Sequence, residues 1–205
     1  MIYTSRLDGA QVTINPPQDD KKYAIMLSGG FDSAVLLYFL HENGYDGRLT
    51  TFTIPKADGS HVHATNVINY FNQAYDMKLP QTILVGDPTV FHRLMSKTAV
   101  EDIFTKHRDK CDILYNALNQ VHPDLADGRE PQRDRKEPNE KYRFPFVDLY
   151  KTHIVDFMYE YGLEAIMPIT HSCTERPDSR CNECWQCGER AWAFTQLLKE
   201  DQGTI

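Results

Sequence analysis

Apolar positions in this 205-residue chain alternate between short continuous runs and stretches at helical spacing. Residues 23–27 (YAIML) form a run of strand length, and residues 49–54 (LTTFTI) are rich in β-formers. Residues 81–85, 111–115 and 165–169 read as three further strands. Between and after them, residues 33–41, 62–75, 89 to about 106, and 150–161 carry apolar side chains at helical spacing. Asn43-Gly44 and Gly162 serve as stop signals. A last helix is expected over 189–198, and a short extra strand over 11–14. Strand–helix alternation predicts an α/β fold: an open, mainly parallel twisted sheet with helices on both faces. Ligands in such sheets bind at the carboxyl ends of the strands. Length and pattern suit a single domain, with 1–20 as an N-terminal extension, 21–170 as the core and 171–205 as a cysteine-bearing segment with a helix. Residues 116–143 show no periodicity, and loops of that length are more often functional than idle.

Composition changes this picture little. At 41% hydrophobic and 25% charged, the chain falls outside the disordered and membrane classes. No apolar run is long enough to span a bilayer, and the opening MIYTSRLDGAQ lacks the features of a signal peptide, so a cytoplasmic location is expected. A net charge of −7 argues against a broad nucleic-acid-binding surface.

Chemistry concentrates in two places. The first is Ser28-Gly29-Gly30-Phe31-Asp32-Ser33, set between the first core strand and a helix. Free backbone N–H groups and the positive end of a helix dipole face an anion in that setting. Paired glycines permit close approach, and Ser28 and Ser33 can donate hydroxyl hydrogen bonds to phosphate oxygens. Asp32 would repel phosphate, which leaves it two roles: holding Mg²⁺ or fixing a backbone turn. The lysine of a Walker loop is absent. The second place is Cys173-x7-Cys181-x2-Cys184-x2-Cys187. Four thiols within fifteen residues match a tetrahedral Zn²⁺ site with no open position, which is a structural site; an iron–sulfur cluster would use the same ligands. Cys111, the fifth cysteine, falls in a strand and reads as core.

The loop Ser28–Ser33 is similar to the pyrophosphate loop of the N-type ATP pyrophosphatases, which split ATP between its α and β phosphates. Adding FPF-x4-K (144–151), YGL, PITHSC and the cysteine spacing, the chain resembles the 7-cyano-7-deazaguanine synthases from about residue 23 to 198. The resemblance implies an adenine-nucleotide alpha-hydrolase-like fold. It also implies conversion of 7-carboxy-7-deazaguanine to the nitrile through an amide, with ATP, Mg²⁺, Zn²⁺ and ammonia, in a homodimer. By matching position, Ser28, Asp32, Ser33 and Lys151 would be catalytic. Leu27, Ser28, Gly29, Gly30, Phe31, Asp32, Ser33 and Thr53 would contact the nucleotide, with residues 51–54 edging adenine or ribose. Cys173, Cys181, Cys184 and Cys187 would hold zinc.

Two stretches depart from the family pattern. After the second strand the chain reads TIPKADGSHVHA, where Lys56, His61 and His63 are available for polar contacts; surface placement is the plainer reading of the two histidines. In residues 116–143, Asn116 and Asn119 are placed to face a purine edge. Arg129, Arg133 and Arg135 suit a carboxylate or phosphate, and a solvated mixed-charge loop is the competing reading. Trp185 and Trp192 fit either a dimer surface or packing of the last helix on the sheet. Other acceptors also remain open: a ligase for another carboxylate, one that stops at the amide, or a nucleotide-binding zinc module without turnover. A tRNA thiolation enzyme fits less well, because Cys111 is the one spare thiol and the chain is acidic.

Overall fold

The computed structural model describes residues 1–90, 92–126, 128, 133 and 135–203. Two short strands, β1 (Ile2–Thr4) and β2 (Gln11–Thr13), form an antiparallel hairpin. The main sheet contains β3 (Tyr23–Met26), β4 (Leu49–Thr53), β5 (Ile83–Leu84), β6 (Ile113–Tyr115) and β7 (Tyr142–Arg143). Its order is β5-β4-β3-β6-β7 and every pairing is parallel. The helices are α1 (Phe31–Glu42), α2 (Ser60–Tyr75), α3 (His92–Lys106), α4 (Lys151–Glu160) and α5 (Trp185–Gln196).

Helices cover both faces of the sheet, unequally. Side chains of α1, α2, α4 and α5 share one core with Tyr23, Ile25 and the N-terminal hairpin. On the opposite face α3 places Ala99 and Ile103 against Phe52, Val85 and Leu114. Burial on both faces explains why β3 reads as a continuous apolar run. α1 is apolar on nearly every side because it sits inside its layer, with eight of its residues buried. The hairpin is tied to the same core: the Tyr3 ring stacks on Phe39 at 3.7 Å, and Val12 and Ile14 are buried. Ser5 and the Arg6 amide both donate to Asp156 on α4 at 2.8 Å.

Two expectations about the strands are corrected. Residues 165–169 are not a strand but belong to a 3-10 helix, Glu164–Ile169, with Ile166 and Met167 buried. Short apolar runs cannot be assigned by periodicity alone, and Pro168 lacks the N–H that a central strand would need. The fifth strand of the sheet is instead β7, in the stretch without periodicity. At two residues it is too short to carry a period. The last helix also begins earlier than expected, at Trp185. Trp192 packs against the core, 4.8 Å from the His122 ring, while Trp185 is half-buried. Cys111 is buried as expected, and burial pushes its thiol up to about 12. Among the described residues no helix is long and apolar enough to cross a membrane.

Candidate active site

Strand order reverses at β3, so a crevice opens at the carboxyl ends of β3 and β6. There the chain places two adjoining cavities of about 340 and 260 Å³. Ser28, Asp32, Lys56, Ser60 and Arg133 line both. The larger continues along Leu27, Thr53, Asn116 and Asn119. The smaller runs past Lys151, His171, Cys173 and Glu189 toward the cysteines.

The glycine loop lies between them. Gly29 has φ +73°, and a Cβ there would fall 2.4 Å from the His63 Cβ and 2.5 Å from the Ala64 nitrogen. Both the backbone conformation and the space thus require glycine. Gly30, the residue before α1, has an ordinary φ of −82° and offers no side-chain cap. The first amides of α1 therefore keep no side-chain partner and can face an anion. The loop hydroxyls are arranged internally: Ser33 Oγ donates to the Gly30 carbonyl at 3.0 Å, and Ser28 and Ser33 Oγ lie 3.1 Å apart. Phe31 turns into the core beside Phe194, its ring centroid 5.9 Å away.

Lys151 reaches this loop from the start of α4, 119 residues along the chain, where its Nζ pairs with Asp32 Oδ2. Only 7% of its side chain is exposed. Lys151 also lies 3.6 Å from Glu189, on α5. Glu189 in turn accepts a forked pair from Arg133, at 2.6 and 2.8 Å, and Arg133 donates to Asn119 Oδ1 at 2.7 Å. Burial works against the Glu189 charge, yet Lys151 and Arg133 outweigh it and hold the carboxyl below its usual range. Among the described residues, several buried polar atoms of the crevice lack a partner: Asp32 Oδ1, Thr53 Oγ1 and Asn119 Nδ2, with Thr51 Oγ1 close by on β4. Buried groups of this kind carry a desolvation cost until something bonds them.

Most residues singled out from sequence meet in this crevice. Leu27, Ser28, Asp32, Ser33, Thr53, Asn116, Asn119, Arg133 and Lys151 all line it. Arg135 does not. It is exposed and pairs with Glu137 and with Asp148, the latter at 2.7 Å. Arg129 lies outside the described residues. Glu189, Asp58 and Ser60 also line the crevice without a signal in the sequence: an acid two residues behind a cysteine, or an acid or serine at a helix start, carries no pattern of its own.

Cys173, Cys181, Cys184 and Cys187 converge, with all four Sγ atoms within 4.8 Å of one another. Cys181 Sγ accepts from the Cys184 amide at 3.1 Å, and both backbone and thiol donors surround Cys184. Burial opposes a Cys184 thiolate, but those donors prevail and bring the thiol to about 6. A donor set of four sulfurs in one shell fits a thiophilic tetrahedral metal. His61 and His63 are not part of it. His63 stacks on His171 at 4.2 Å and donates to the Pro177 carbonyl at 2.6 Å, while the His171 amide donates to the Gly29 carbonyl at 3.0 Å. The cysteine segment is thereby fastened to the glycine loop.

The model of the family described as queuosine biosynthesis protein QueC matches residues 89–198, more than half of the chain. The chain belongs to the QueC family. A relative from Archaeoglobus fulgidus, a 7-cyano-7-deazaguanine synthase, is 23% identical over 209 residues, covering 84% of this chain and 85% of the relative. Among solved structures, NMN synthetase from Francisella tularensis matches 88% of this chain and 78% of its own, with a TM-score of 0.53 and 13% identity. That likeness concerns the fold alone, a parallel sheet with helices on both faces. U34-tRNA thiolase NcsA from Methanococcus maripaludis matches 87% of this chain at a TM-score of 0.48 and 16% identity, and this chain spans 65% of that one.

Proposed function

We propose that this protein is an ATP-dependent synthase that converts a 7-carboxy-7-deazaguanine to the nitrile with ammonia. The observation that carries the reading is the meeting of Lys151 with Asp32 in a crevice at the sheet's switch point. An anion cradle and a buried cation stand together there, as expulsion of pyrophosphate requires. A carboxylate oxygen bonds to the α phosphorus while the bond to the β-phosphate bridge breaks, and pyrophosphate leaves with the electron pair. Ammonia then adds to the acyl carbon, AMP departs, and a proton is lost, giving the amide. A second ATP activates the amide oxygen in the same way as the nitrogen gives up one proton, and loss of AMP with the second N–H proton gives the nitrile.

In this scheme the free amides at the start of α1 and the Ser28 and Ser33 hydroxyls hold the leaving pyrophosphate, with Lys151 neutralising its charge. Asp32 Oδ1 would meet the Mg²⁺ that travels with the nucleotide. Thr53 and Asn119 Nδ2 are donors for the nucleoside or the deazapurine. Arg133 orients Asn119 and leaves Nδ2 to the ligand. The four cysteines would hold Zn²⁺, whose contribution is to brace the segment carrying His171 and Glu189. The family resemblance extends to a homodimer, which sedimentation tests.

Purified protein with 7-carboxy-7-deazaguanine, Mg-ATP and ammonium, followed by mass spectrometry, tests the reading. Nitrile, AMP and pyrophosphate are the expected products. Accumulating amide would restrict the enzyme to the first activation. No consumption of the deazapurine would overturn the substrate assignment.

A further inference from the structure

Among the described residues the cations lining the crevice are, with one exception, already matched to carboxylates. Lys151 lies against Asp32 and Glu189, and Arg133 is forked onto Glu189. Lys56 has no carboxylate partner among the described residues, although it is half-buried and lines both cavities. The neighbouring acid Asp58 is engaged elsewhere, accepting from the Ser60 amide at 3.0 Å at the start of α2.

The turn that carries Lys56 is built rather than loose. Its amide donates to the Ile54 carbonyl at 2.9 Å, and the Gly59 amide donates to the Lys56 carbonyl at 3.1 Å. Ser60 Oγ donates to the Ile54 carbonyl at 3.0 Å, closing the turn from the helix side. Gly59 takes φ +73° and packs on Pro177, so the cysteine segment supports the turn from behind. A fixed turn therefore holds, on the wall between the two cavities, an ammonium with no carboxylate partner among the described residues. An ammonium that is partly desolvated and unneutralised gains most from an anion arriving beside it.

We infer that Lys56 receives the negative charge at the junction of the α-phosphate and the acceptor carboxylate, a role that rests on the adenylation reading above. In the step that forms the acyl-adenylate, a carboxylate oxygen bonds to the α phosphorus as pyrophosphate leaves with the bonding pair. No proton moves. Two anionic groups meet at one point, and the glycine loop and Lys151 serve the departing end. Lys56, bordering both cavities, serves the end that stays.

The test separates this role from the reading it rests on. AMP and inorganic pyrophosphate are titrated separately into wild type, Lys56→Gln and Lys56→Arg. In Lys56→Gln, AMP affinity falls about tenfold or more, the factor that one charge-assisted hydrogen bond carries. Pyrophosphate affinity holds within about threefold, because its donors lie on the loop. Lys56→Arg keeps most AMP affinity. The melting temperature is unchanged in both variants, since no side-chain partner is lost. Equal AMP binding in wild type and Lys56→Gln overturns the assignment. So does a joint loss of AMP and pyrophosphate binding with a lowered melting temperature, which marks a structural lysine. Carboxylate-dependent ATP–pyrophosphate exchange then addresses the chemistry. Exchange in wild type that collapses in Lys56→Gln supports both claims. No exchange in wild type, with AMP still dependent on Lys56, overturns adenylation and leaves the anion receptor standing.

Discussion

Glu189→Gln is the most informative single change in this protein. The carboxylate is 2% exposed and faces two cations, Arg133 and Lys151, that are themselves largely buried. Glutamine keeps the shape, retains one acceptor oxygen, and turns an NH₂ toward the guanidinium. Removing one partner of a buried ion pair costs about 3–5 kcal/mol, because the remaining charge stays desolvated without compensation. In a chain of this size each kcal/mol lowers the melting temperature by about 2–4 °C, so a fall of about 6–20 °C is expected. Thermal unfolding followed by circular dichroism measures it, and nucleotide turnover on the folded variant reports whether Lys151 and Asn119 have lost their positions. Replacing Arg133 and Glu189 together by methionine recovers part of the lost stability, since no isolated charge then remains on that pair. A Glu189→Gln protein that melts within about 2 °C of wild type would refute the reasoning, showing the two cations to be neutralised without this carboxylate.

Other outcomes follow from the same geometry. Gly29→Ala forces a left-handed backbone on alanine and drives its methyl into the start of α2. A loss of about 2–4 kcal/mol is expected in chemical denaturation, and nucleotide binding falls with it. Ser28→Ala and Asp32→Ala each lower turnover, Asp32→Ala with a loss of stability as well because Lys151 then keeps only Glu189, and unchanged turnover in both would move the chemistry elsewhere. Metal analysis gives about one zinc per chain, and stripping it with a chelator loosens the segment behind His171 and Glu189, seen as faster amide exchange there. At Asp201 burial disfavours the charge, but Arg190 at 2.8 Å and Arg180 hold the carboxyl below its usual range. This pair stabilises the protein above about pH 4, the unfolded carboxyl value, and the contribution disappears as pH falls through the lower folded value. Urea melts of Asp201→Asn against wild type, repeated from pH 7 down to pH 3, show a gap that closes only at the acid end.

The glycine loop and the cysteines were legible because each packs its chemistry into one short stretch. Alternation of strands and helices was legible too, since burial on both faces writes continuous apolar runs and burial on one face writes a helical stripe. Periodicity failed where elements are too short to hold a period, as in β7, or where an apolar run is ambiguous, as in the 3-10 helix at Glu164–Ile169. Local sequence thus determined the paired-glycine turn behind the first core strand and the spacing of the four thiols over residues 173–187. Only the tertiary structure decided that Lys151 reaches Asp32 across 119 residues, that Glu189 clamps Arg133, and that Lys56 alone stays unpaired among the crevice cations described. Ion pairing depends on distance in space, and distance in space is settled by which helix packs on which strand, a property no short stretch of sequence contains.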